Sequence, residues 1–312
     1  MFISPDSRLI VSHLGWVDKS ALWTYDVVKD GVNLVPVGNA KYLTLYSSKD
    51  KNQFSVFHHS DGPLLRLTVH SFDNPATPIC KIEHSEGKTQ VQGELEVLRN
   101  APHYYVTYYN PGFNADFHLI SIDFERGKVE IERFEWYNDS YDKGYQGIIG
   151  VIELDSGNLI VSVQRDSQPI VYDPKTKTVV RKLSLAGNHG NPKFRFARQR
   201  GEIWADDYDT ILKFDSKTLS LKTSQRLQMA ATGTAQFIGD WSFNNDESLC
   251  LVSRPFSGDV VAISTDDLKT KYVAKIGNQP LQSVFVSNNN IIGRDWKTGA
   301  LLKGSLRRKW FG

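Results

Sequence analysis

Short runs rich in Val, Ile, Leu, Tyr, Phe and Trp recur along this chain, each following a polar turn. The runs occupy residues 9–13, 54–58, 104–108, 159–163, 203–207, 249–253 and 291–295. In each, apolar side chains fall on both parities, so both faces of the strand are expected to be covered by neighbouring layers. Further strands follow. Ile170-Val171-Tyr172 leads through Asp173-Pro174-Lys175-Thr176 into Val179-Val180, and Leu212-Lys213-Phe214 leads through Asp215-Ser216-Lys217-Thr218 into Leu219. Asp and Thr side chains can cap the backbone of such a turn, which makes each pair a hairpin. Helical periodicity is nearly absent, and Gly233 argues for a loop over residues 225–237.

The turns that precede the seven runs centre on residues 6, 51, 101, 156, 200, 246 and 289, at spacings of 45, 50, 55, 44, 46 and 43 residues. That period fits one four-stranded antiparallel unit per repeat. Parallel strands with crossover helices would need helical segments that the spacings leave no room for. An ordinary β-sandwich would show strands without a period near 45. The pattern therefore predicts an all-β chain: a seven-bladed β-propeller of four-stranded antiparallel blades, forming one domain over residues 1–312. The last repeat supplies about three strands. Either the seventh blade is incomplete, or a segment ahead of Met1 supplies its missing strand.

Turn-strand-turn patterns such as Ser4-Pro5-Asp6-Ser7-Arg8-Leu9 and Tyr172-Asp173-Pro174-Lys175-Thr176 resemble the degenerate repeats of the YVTN and quinoprotein-dehydrogenase-like propeller superfamily. The resemblance spans nearly the whole chain and implies a fold rather than an activity. The Gly-His and Trp-Asp signatures of WD repeats are missing.

Composition narrows the function. A formal net charge of +2 supplies no global field for nucleic acid or an anionic membrane, so neither is an expected partner. Cys80 and Cys250 stand in unrelated segments, which argues against a disulfide framework and for a reducing, cytoplasmic compartment. No run approaches the length of a membrane-spanning helix, and the first residues do not resemble a secretory signal.

Propeller ligands are expected at one mouth of the central channel, where loops leave the second strands and join consecutive blades. In the repeat register those exits carry His13, His58 with His59, Tyr108 with Tyr109, Gln164 with Arg165, Asp206 and Asp207, Arg254, and Arg294 with Asp295. Two long connections add Tyr141, Tyr145 and His189. Tyr rings offer area and a hydroxyl for adaptable recognition. Charges of both signs suit a peptide, a protein surface or a small polar ligand.

Catalytic signatures are sparse. There is no Gly-x-Ser-x-Gly elbow, phosphate loop or dinucleotide fingerprint, and no metal-ligand spacing joins the histidines, so no cofactor and no metal are expected. His58 and His59 are adjacent on a strand and point to opposite faces. The expected function is binding by a monomer. The alternative is a metal-assisted propeller hydrolase, lactonase or lyase, in which Asp206 or Asp207 would work with a histidine.

Overall fold

The computed structural model describes residues 1–13, 21–36, 42–48, 52–59, 65–84, 90–91, 103–109, 116–123, 128–133, 148–163, 169–185, 192–227, 237–287 and 289–308. Its strands form seven antiparallel sheets, in each of which consecutive strands are neighbours. The only helical turn among the described residues is a 3-10 turn at Arg198–Arg200. Among the described residues no helix is long and apolar enough to cross a membrane.

The chain divides into two compact units. One comprises Trp16–Leu22 and Leu34–Phe194. It holds the second sheet (Tyr42–Ser48, Gln53–His59, Leu65–Ser71, Pro78–His84), the third (Gln90–Val91, His103–Tyr109, Asp116–Asp123, Lys128–Arg133) and the fourth (Ile148–Glu153, Leu159–Val163, Ile170–Asp173, Thr178–Lys182). The other comprises Met1–Gly15, Trp23–Asn33 and Arg195–Gly312. Most of the first sheet (Phe2–Ile3, Leu9–His13, Ala21–Asp26, Gly31–Pro36) and of the fifth (Lys193–Ala197, Glu202–Asp207, Thr210–Asp215, Leu221–Arg226) lies there. The sixth (Trp241–Phe243, Leu249–Arg254, Asp259–Ser264, Thr270–Lys275) and the seventh (Pro280–Phe285, Asn290–Asp295, Leu301–Ser305) lie there entirely.

Apolar residues on both parities do bury both faces. In the sixth sheet, Cys250, Val252, Val261 and Ile263 pack with Trp204 and Ile211 of the fifth. Their strand neighbours Leu251, Val260 and Ala262 pack with Ile276 and with Ile291 of the seventh. The strands Leu249–Arg254 and Asp259–Ser264 are thus a partition between two cores. The Asp-led turns behave as their composition predicts. Asp173 Oδ1 accepts the amide of Lys175 at 2.8 Å, and Asp215 Oδ1 accepts those of Lys217 and Thr218 at 3.0 and 2.8 Å.

The expectation of four-stranded blades up to the last needs correction. Six sheets have three or four strands, and the sixth has five. The seventh has three, one of the two outcomes expected from its sequence. The reason is local. After Leu301–Ser305 the chain does not turn back, and Arg307–Arg308 pair instead with Thr270–Lys275 of the sixth sheet. The seventh sheet meets the first through side chains: Trp23, Tyr25 and Ile10 pack against Val284 and Ile292. The amino group of Met1 donates to Gln282 Oε1 at 3.0 Å.

Candidate functional site

In the unit that holds the fifth to seventh sheets, the turns between second and third strands carry most of the described candidates. Asp206 and Asp207 end the strand Glu202–Asp207, and both are buried. Asp206 Oδ1 accepts the indole N–H of Trp241 at 3.0 Å, a bond running from the fifth sheet to the sixth. Beside it, Arg195 Nη2 donates to Asp240 Oδ1 at 2.7 Å, and its guanidinium lies 5.1 Å from the centre of the Trp241 ring. Packing and charge pairing therefore hold these four side chains together.

Arg254 and Asp259 face each other across the sixth sheet's hairpin in a two-bond pair, Nε to Oδ1 at 2.7 Å and Nη2 to Oδ2 at 2.6 Å. This fork-on-fork geometry holds a guanidinium and a carboxylate in one plane. In the seventh sheet, Arg294 and Asp295 are buried. Asp295 Oδ1 accepts the amides of Lys297 and Thr298, both at 3.0 Å, and the Thr298 hydroxyl at 2.9 Å. Burial pushes the Asp295 carboxyl up, but these donors outweigh it and leave its pKa below the usual value.

His58 lies in the other unit, buried within the second sheet. Its Nε2 is 2.8 Å from Thr68 Oγ1, which is also 2.8 Å from His70 Nε2; His70 Nδ1 is 2.9 Å from the Pro75 carbonyl. A carbonyl can only accept, so the neutral His70 ring carries its proton on Nδ1. Its Nε2 then accepts the Thr68 hydroxyl, which in turn accepts the N–H of His58. Phe54 stacks on His70 at 5.1 Å, and burial lowers the His70 pKa.

His13 and Tyr108 sit on the strands Leu9–His13 and His103–Tyr109, with side chains outside the described residues. Arg165, Tyr141, Tyr145 and His189 lie outside the described residues altogether. Among the described residues, no three His, Cys, Asp or Glu side chains gather as a ligand set.

Around the paired charges lies a group of aromatic side chains that the sequence reading did not select. Phe237, Phe256 and Trp296 meet edge to face, with ring centres 5.2, 5.4 and 5.9 Å apart. Edge-to-face packing of this kind suits the quadrupoles of the rings. Phe256 stands at the tip of the Arg254–Asp259 turn with 37% of its surface exposed; Phe237 and Trp296 are half-buried. Gly239 seats the segment carrying Phe237, since a Cβ there would lie 2.6 Å from the Leu281 carbonyl oxygen and 2.8 Å from Pro255 Cγ. Trp296 is held by its amide, which donates to the Gln279 carbonyl at 2.9 Å. At the fifth sheet's turn, Tyr208 is exposed and has φ of 52°, a left-handed conformation that a residue with a Cβ adopts at a cost.

Sequence signals for these residues existed one or two positions beyond those selected. Phe256 follows Arg254-Pro255, and Trp296 follows Asp295 directly. The charged neighbours drew attention because strand-end charges suggest chemistry, whereas an aromatic in a β-rich chain suggests core.

No family model matches the chain, and no curated protein matches it significantly. Solved structures do. The β-propeller domain of Myceliophteria thermophila Cps50 (Swd1) superposes with a TM-score of 0.72 at 13% identity, over 98% of this chain and 95% of that one. The periplasmic gluconolactonase PpgL of Pseudomonas aeruginosa superposes with a TM-score of 0.67 at 12% identity, over 96% and 94%. Likeness at this identity shows the fold alone, and that fold is a β-propeller, as the repeat and the resemblance to the propeller superfamily implied.

Proposed function

We propose that residues 1–312 form one propeller domain that binds a segment of another protein at the face carrying the turns of the fifth to seventh sheets. The observation that carries the reading is the Phe237–Phe256–Trp296 group. Aromatic side chains give large contact area at small entropic cost, and they dominate recognition surfaces. The charges beside them are already matched: Arg195 by Asp240, and Arg254 by Asp259. A ligand at this face therefore meets rings and backbone more than unsatisfied charge, which favours a peptide or protein surface over a small polar molecule. The free thiols of Cys80 and Cys250 accord with a cytoplasmic location.

The second reading, a lactonase, rests on the likeness to the gluconolactonase. One experiment separates the two. Peptides selected from a random library on the purified protein are measured again on Trp296→Ala and Phe256→Ala. Loss of an aromatic contact weakens binding by roughly ten- to a hundredfold on the binding reading. Hydrolysis of gluconolactone that survives both substitutions and is abolished by Asp207→Asn overturns it.

A further inference from the structure

The seventh sheet ends one strand short, and the strand Leu301–Ser305 forms its outer edge among the described residues. The direction of that edge's polar groups follows from the bonds that bracket it. The Ala300 carbonyl accepts the Asp295 amide at 2.9 Å, and the Leu306 amide donates to the Asn289 carbonyl at 2.7 Å. Between these fixed points the ladder pairs Leu302 with Gly293 and Gly304 with Ile291. Antiparallel alternation then turns the N–H and C=O groups of Ala300, Leu302, Gly304 and Leu306 into the sheet. Those of Leu301, Lys303 and Ser305 face outward.

Open edges are normally blunted by pairing, covering or charge. Here the segment that would cover the edge has gone to the sixth sheet as Arg307–Arg308. An open groove of about 460 Å³ lies beside the edge, lined by Tyr25, Val27, Asp30, Val286, Lys303 and Ser305 among others. On the first sheet's outer hairpin, Val28 and Val32 are 67% and 52% exposed.

We propose that this edge binds an extended segment of a partner protein by strand addition, completing the seventh sheet with a fourth strand. The outward amides and carbonyls demand an extended backbone, and the apolar groove lining of Tyr25, Val27 and Val286 suits apolar side chains on alternate positions. Charge sets the remainder. Lys303 is paired with Asp30, which also accepts the Tyr25 hydroxyl, and the exposed Arg307 adds a cation beside the edge. The preferred segment therefore alternates apolar and acidic residues. This surface is separate from the aromatic turns and stands or falls without them.

The probe is a fluorescein-labelled six-residue peptide of alternating valine and glutamate, added to the full chain. Ser305→Pro and Leu301→Pro each remove one outward N–H and leave the inward ladder intact. Binding is expected to fall roughly fivefold in each, as for one lost hydrogen bond, with the melting temperature unchanged in Leu301→Pro and slightly lowered in Ser305→Pro, which also loses the bond from Ser305 Oγ to Asn290 Oδ1. Amide exchange at Lys303 and Ser305 should slow on adding the peptide. A peptide N-methylated on alternate amides tests the same bonds without altering the protein, and it should fail to bind. Three results overturn the proposal: no binding at millimolar peptide, equal binding by the folded proline variants or by the N-methylated peptide, and dimerisation abolished by Ser305→Pro. The last would make a second copy of this chain the occupant.

Discussion

The indole N–H of Trp241 donates to the carboxylate of Asp206 at 3.0 Å inside the junction between the fifth and sixth sheets. Asp206 stands where a ligand-binding carboxylate was expected at a strand end, and its Oδ1 is engaged by the neighbouring sheet. Asp206→Ala would leave the Trp241 donor buried without its acceptor, at a cost of roughly 1–3 kcal/mol. Trp241→Phe would take this donor from the buried carboxylate. The double variant Asp206→Ala/Trp241→Phe is expected to be less unstable than the sum of the two singles, because it removes both halves of the bond. Urea denaturation of all four proteins measures this coupling.

Glu202 is a second buried carboxylate, and it serves three cations. Lys222 approaches Oε1 at 2.9 Å, Lys213 and Arg200 approach Oε2 at 3.3 and 3.4 Å, and the Trp204 N–H donates to Oε2 at 3.1 Å. Burial raises its pKa, but the donors outweigh burial and leave it below the usual glutamate value. A carboxylate whose folded pKa is depressed stabilises the fold above its unfolded pKa and loses that contribution as pH falls through the folded value. The melting temperature is therefore expected to drop below about pH 4.5. Glu202→Gln should be less stable at neutral pH and show a shallower acid drop, readable by circular dichroism.

His70 acts at milder pH. Burial holds its pKa below the ordinary 6.5, so the unfolded chain takes up a proton first as pH falls. Stability associated with the neutral ring is complete above 6.5 and declines as pH passes from 6.5 toward the lower folded value. Protonation also puts a donor on the Nε2 that accepts the Thr68 hydroxyl, so the chain of bonds to His58 must reorganise. Ring-carbon NMR of His70 across pH 7 to 5 should titrate below an exposed histidine, and melting temperatures over that range should decline less in His70→Phe.

Gly239 has no space for a side chain. A Cβ there would meet the Leu281 carbonyl oxygen at 2.6 Å, and backbone cannot rotate aside as a flexible side chain can. Gly239→Ala is expected to shift the segment that carries Phe237 and to destabilise the fold by roughly 1–3 kcal/mol, in the range of overpacked sites. If that segment seats a ligand, peptide affinity falls in Gly239→Ala even below its melting temperature. Isothermal calorimetry with a library-selected peptide reads the effect.

Much of the architecture was legible because it is local. The apolar runs on both parities and the Asp-led hairpins depend on residues within about ten positions of one another, and the period of the turns is the repetition of these local units along the chain. Asp173 and Asp215 cap their turns as their sequence context predicts. The uneven strand count was less visible. Arg307–Arg308 pair with Tyr272 and Val273, more than thirty positions away, and nothing in a short charged segment specifies that edge over another.

The candidate site shows the same division. Sequence alone determined that charged residues would fall where the second strands end and the turns begin, because the runs before them carry apolar side chains on both parities. Tertiary packing alone decided which of them were used up. Asp206 became the acceptor for Trp241, Arg254 became the partner of Asp259, and Asp295 became a turn cap. It also left Phe256 and Trp296 edge to face at the rim. A charge pair or a ring contact depends on distances between chain segments that fold together from far apart in sequence. Those distances exist only once the sheets have packed.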